Sequence, residues 1–163
     1  MKPVLMVGVD MAKKTFAVAL RWGEQKATLG QFANEASGYQ ALATQVETIR
    51  MDDAIEQVQV VIEATGGYEA ALLAYAYEQQ WLVSMRGAPW APKQVRDWAK
   101  GVGYRGKSDL VDAQILAHYA VAPSGHPQPK PRPQLAVEVA ELDSLLKRRL
   151  DLEQAIQKEQ TRL

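Results

Sequence analysis

Three strand-type runs stand in series before the first helical pattern, and only after it do helix and strand alternate. That order, more than any single motif, limits what the chain can fold into. Val4 to Val9 is nearly all apolar, as expected of a strand buried on both faces. A short turn, Asp10 to Lys14, leads to a second strand over Thr15 to Leu20, and the Trp22-Gly23 turn leads to a third over Gln25 to Phe32. The period then changes. After Ser37, a favourable N-cap, Tyr39, Leu42, Val46 and Ile49 recur at helical spacing and predict a helix to about Arg50. Val58 to Glu63 is a β-branched run that closes on a carboxylate and is stopped by Gly66-Gly67. A helix over Tyr68 to Gln80, a fifth strand over Trp81 to Met85 and a short helix over Lys93 to Lys100, after Pro89 and Pro92, complete the alternation. Ser108 to Ala122 reads as a further helix, with Leu110, Ile115, Leu116 and Tyr119 available to pack.

This succession matches an α/β, RNase H-like (RuvC-type) fold, a mixed five-stranded sheet with flanking helices in which the first strand is central and the fourth lies parallel beside it. Five prolines between Pro123 and Pro133 exclude helix and interior strand there. The expected organisation is therefore a domain over 1–122, a proline-rich linker over 123–133, and one helical pattern over 134–163. In that last segment Leu135, Val139, Leu142, Leu146, Leu150, Leu152 and Ile156 are set among many charges. Such a stripe wants a partner helix, so a coiled-coil-type segment and a homo-oligomer, dimer or tetramer, are expected.

With 163 residues, the chain has room for one core and an appendage. No apolar run approaches the roughly 20 residues of a membrane span, and the N-terminus lacks the features of a secretory signal. The absence of cysteine excludes disulfides and thiolate ligands and fits a cytoplasmic protein. Lys plus Arg equals Asp plus Glu, 19 of each, so a nucleic-acid role must be argued from where the charges lie.

In the expected fold Asp10 and Glu63 end neighbouring strands about 5 Å apart, and two carboxylates so placed repel unless a cation joins them. Asp109 and Asp112 are three apart at a helix start and share a face. Oxygen donors of this kind suit Mg²⁺ or Mn²⁺, and with His118 and His126 the only histidines, zinc is disfavoured. Paired metals are a common means of activating an attacking oxygen and stabilising a leaving oxygen at a phosphodiester. Each acid also has an ordinary explanation: Asp10 as a turn residue, Glu63 as a charge at a strand rim, Asp109 and Asp112 as first-turn acids favoured by the helix dipole after Ser108. Their joint occurrence favours a site.

Between Arg86 and Lys107 the chain carries Arg86, Lys93, Arg96, Lys100, Arg105 and Lys107 against one acid, Asp97, with Trp90, Trp98 and Tyr104 interleaved. Phosphates drawn to this segment would be delivered to Asp109, and the aromatics offer stacking surfaces. The alternative is a solvated basic surface, with Trp98 in the core.

Val7-Gly8-Val9-Asp10, Val60-Val61-Ile62-Glu63-Ala64-Thr65-Gly66-Gly67-Tyr68, and Lys107-Ser108-Asp109-Leu110-Val111-Asp112-Ala113 with Leu116-Ala117 together resemble the insertion-sequence transposases and pilin-gene invertases with an acidic DEDD tetrad, a family that includes bridge-RNA-guided recombinases. The similarity runs from about Val4 to Ala122 and takes in the basic stretch Lys93 to Lys100. It implies that Asp10, Glu63, Asp109 and Asp112 are the catalytic, metal-binding tetrad, that a coiled-coil helix follows, and that DNA and a structured guide RNA are partners. It also implies a later domain carrying a serine nucleophile, to which no segment here can be matched; either the chain is an N-terminal piece or the gene product is short, the ending at Leu163 within the helical pattern favours a piece, and the chain by itself is expected to be inactive in strand exchange. Three other functions stay open on the residues alone: a free-standing Holliday-junction resolvase or nuclease, an actin-like nucleotide-binding module, and a non-catalytic assembly module working through the terminal helix.

Overall fold

The apolar run near the N-terminus becomes the middle strand of the sheet. In a computed structural model, which describes residues 3–63, 67–86, 92–121, 134 and 137–162, β1 (Val4–Met11) lies between β2 (Thr15–Trp22) and β4 (Gln57–Glu63). With β3 (Gln25–Ala33) and β5 (Leu82–Arg86) the order is β3-β2-β1-β4-β5. The first three strands pair antiparallel, and β4 and β5 join parallel to β1 and to each other. This is the RNase H-like arrangement expected from the order of elements.

Strand alternation divides the sheet's faces cleanly. Leu5, Val7, Val9 and Met11 of β1, with Phe16, Val18 and Leu20 of β2 and Val58, Val60 and Ile62 of β4, enter one core under α1 (Ala36–Asp52) and α2 (Ala70–Glu78). Met6 and Val61 point the other way, into a second core with Val95 of α3 (Pro92–Gly101) and Ile115, Leu116 and Tyr119 of α4 (Asp109–Ala120). Helix α4 crosses β1 at Gly8, where a Cβ would collide with the Ala113 carbonyl oxygen and lie 2.6 Å from the Ala117 nitrogen. Ala17, Ala19 and Ala113 continue this small-residue contact.

On the edge strand a bulge breaks the alternation. Val18 faces Gly30 but Ala19 faces Thr28, so Leu29 is the extra residue, and Gly30 adopts φ +98°, which a side chain would resist. Gln31, Thr28 and Lys26 consequently all stand opposite α4-facing residues of β2, namely Ala17, Ala19 and Arg21.

Two local expectations are corrected. Asp10 is a strand residue, because pairing continues through Asp10↔Ala17 and Met11↔Phe16. Ser37 is not an N-cap: the helix starts at Ala36 after Glu35, and the Ser37 hydroxyl donates to Glu35 Oε1 at 2.7 Å. Ser108 does cap α4, accepting from the Val111 N–H at 3.3 Å.

The structure divides into two units, 1–132 and 133–163. The second contains α5 (Val137–Arg162), on which Leu142, Leu145, Leu146 and Leu150 are at least half exposed. The proline-rich linker, Ala64 to Gly66, and Pro89 and Trp90 lie outside the described residues. Among the described residues no helix is long and apolar enough to cross a membrane.

Candidate carboxylate site

Asp10 and Glu63 reach the same edge of the sheet because β1 and β4 are parallel and in register. Val9 pairs with Ile62, so the next residue on each strand is a carboxylate. Asp10 is two residues beyond Gly8, and Glu63 two beyond Val61, so both side chains leave the sheet on the face that α4 covers. Both are half-buried and each has partners within the protein.

The start of α4 overhangs the same edge. Its first turn carries Asp109, which is exposed, and Asp112, which is half-buried and directly precedes Ala113, the residue seated on Gly8. Asp109 leans toward the far side of the sheet, accepting a long hydrogen bond from Gln31 Nε2 on β3 at 3.4 Å. Gln31, Ala17 and Asp10 form one row across β3, β2 and β1, so Gln31 stands two strands from Asp10, about 10 Å at the usual spacing. The fold thus brings all four acids to one face and one edge without drawing them to a point. Among the described residues no three acidic or histidine side chains are grouped to hold a metal ion. The donors are nonetheless all carboxylate oxygens, which fits a hard divalent cation.

Asn34 buttresses this edge and was not singled out in the sequence. Its Nδ2 donates to the Tyr68 carbonyl at 3.1 Å, its Oδ1 accepts from the Tyr39 hydroxyl at 2.6 Å, and its backbone N–H donates to the Lys14 carbonyl at 2.9 Å. It ties the segment after Glu63 to the β1–β2 turn. Only an Asn following a strand was visible beforehand.

Of the basic segment, Arg96, Lys100, Arg105 and Lys107 are exposed, while Arg86 and Lys93 are described only as backbone of β5 and α3. Of its aromatics, Trp98 and Tyr104 are described, and both pack against α4. Trp98 meets His118 and Tyr119 edge-on, at centroid distances of 4.9 and 5.1 Å, and the Tyr104 hydroxyl is 3.2 Å from His118 Nδ1. Burial pushes the Tyr104 hydroxyl's pKa up and His118's down, the latter helped by the nearby charges of Arg21 and Lys26.

The model of the IS110-type DEDD transposases, described as "Transposase", matches residues 7–163. The chain belongs to that family. The chain is 29% identical over 160 residues to the pilin gene-inverting proteins of Moraxella bovis and Moraxella lacunata, a match covering 96% of the chain and 45% of each relative. It therefore spans a little under half their length. Among solved structures, Thermus thermophilus RuvC is similar at a TM-score of 0.43 and 15% identity, over 69% of this chain and 90% of RuvC. The same protein in complex with a Holliday junction substrate matches at the same score and identity, over 70% of this chain.

Proposed function

We propose that residues 1–122 are the RuvC-like catalytic domain of a DNA recombinase acting in the cytoplasm, in which Asp10, Glu63, Asp109 and Asp112 hold Mg²⁺ or Mn²⁺. The observation that carries this reading is the register of β1 against β4, which sets Asp10, one residue before the end of β1, beside Glu63, the last residue of β4, on the face that α4 covers. A bound divalent cation would neutralise developing charge on the attacking and leaving oxygens of a phosphodiester. Asp10 and Glu63, on strand ends, form the fixed side of the site, and Asp109 and Asp112, on a helix start, the adjustable side. Arg96, Lys100, Arg105 and Lys107 hold the phosphate backbone close by, with DNA and a structured guide RNA as the partners. Strand exchange additionally needs a serine nucleophile from a later domain, which the family resemblance implies.

The test is thermal unfolding with and without Mn²⁺. Binding to the native state raises Tm, and Asp10→Asn with Glu63→Gln should abolish the rise. An equal rise in wild type and double variant would refute the assignment. For nucleic acid, neutralising Arg96 and Lys100 should reduce the slope of log affinity against log salt by about one to two. An unchanged slope would move the contact surface elsewhere.

A further inference from the structure

On the α4-facing side of the sheet, along the strands from the carboxylates, lies an open cleft of about 410 Å³ between the β2–β3 hairpin, α4 and the turn after α3. Its polar lining is Arg21, Lys26, Thr28, Tyr104, Gln114 and His118, with no carboxylate among the residues that line it. That is a local excess of positive charge in a chain whose acids and bases balance. The cleft is built rather than incidental. The Gly30 bulge turns Lys26 and Thr28 toward α4, Gln114 Nε2 donates to Thr28 Oγ1 at 2.8 Å, and Tyr104 anchors His118. Arg21 Nε is buried and meets no acceptor among the described residues, so no carboxylate is bound at that edge of the guanidinium.

We propose that this cleft is a phosphate subsite, in which Arg21, Lys26 and His118 hold a backbone phosphate of the nucleic-acid strand whose neighbouring segment passes the carboxylate edge. Arg21 is four residues along β2 from Ala17, the partner of Asp10. That is about 13 Å, equal to the axial rise of about four base pairs of a duplex at about 3.4 Å each. Openness along the face suits a passing strand better than an enclosed small molecule. The basic segment of α3 and the loop after it lies outside the cleft's charged lining, so the two surfaces can be separated by mutation.

The proposal rests on the chain handling nucleic acid, and the experiment separates the two. The ring protons of His118 are followed by NMR, with His118→Asn assigning them against the only other histidine, His126. A duplex oligonucleotide, a mononucleotide and inorganic phosphate are titrated in turn, and oligonucleotide affinity is measured independently by fluorescence anisotropy. The oligonucleotide should shift His118 saturably and at the lowest concentration of the three. Lys26→Gln, a change at an exposed residue that leaves the fold alone, should weaken oligonucleotide binding about fivefold and lower the salt slope by about one. Arg21→Gln with Lys26→Gln should abolish the His118 response. If the oligonucleotide binds with His118 unmoved and with both variants as tight as wild type, the cleft is wrong and the nucleic-acid reading stands. If the mononucleotide or inorganic phosphate saturates at lower concentration than the oligonucleotide, the strand assignment is overturned. Absence of any oligonucleotide binding overturns both readings.

Discussion

Gly8 lies against the backbone of Ala113 so closely that a single methyl group on Gly8 would meet the Ala113 carbonyl oxygen. This contact sets the height of α4 above β1, and with it the distance between Asp10, two residues along the strand, and Asp112, one residue back on the helix. A glycine that looks like a strand interruption is thus what lets the helix carrying Asp112 lie against the strand carrying Asp10.

Gly8→Ala should therefore damage stability and site together. The clash is with backbone, which cannot swing aside, and overpacking of this kind costs about 1–3 kcal/mol or more. Urea unfolding should show that loss, and any Mn²⁺-induced rise in Tm should shrink in parallel. A variant as stable as wild type would mean that α4 can lift without penalty.

Gln31→Leu should strengthen metal binding. The Gln31–Asp109 bond is long and exposed, so releasing Asp109 removes a competitor worth at most about 1 kcal/mol, or roughly a two- to fivefold gain in affinity. Titration calorimetry with Mn²⁺ would measure it. Weaker binding in the variant would mean that Gln31 helps to orient the site instead.

His118 makes stability depend on pH in a predictable direction. Its pKa in the folded protein is lowered by burial and by Arg21 and Lys26, with Tyr104 the other titratable group facing it, so the unfolded chain binds its proton more readily. Its contribution is complete above the unfolded pKa of about 6.5 and is lost as pH falls below it. Unfolding free energies measured between pH 5 and 8 should show this slope, and His118→Asn should flatten it. An unchanged profile in the variant would assign the slope to other groups.

Helix α5 should associate with its own copy. Leu142, Leu145, Leu146, Leu150 and Ile156 are half exposed or more, and an apolar stripe of that length is covered most simply by an identical helix. Sedimentation at micromolar concentration should give a dimer or tetramer, and a chain ending at Pro133 should give a monomer. A monomeric longer form would show that something other than its copy covers the stripe.

The sequence by itself determined the sheet and its carboxylate edge. Continuous apolar runs buried on both faces in β1, β2 and β4, and the Ser108 cap, are local properties written in side-chain and capping chemistry, while the parallel placement of β4 beside β1 follows from matching the order of elements to the RNase H-like fold. From them Asp10 and Glu63 could be set side by side before any coordinates. The start of α1 is not legible locally, because Ser37 has the chemistry of a cap while its hydroxyl bonds to Glu35 from inside the first turn. Tertiary structure alone decided where Asp109 leans and what the other end of that face contains. Both depend on the Gly30 bulge, which shifts the register of β3 by one residue and so reassigns the faces of Lys26 and Thr28 relative to Gln31. A one-residue slip reverses every side chain beyond it, and although Gly30 marks a break in the run Lys26 to Gln31, the residue left unpaired is fixed only when β2 is laid beside it.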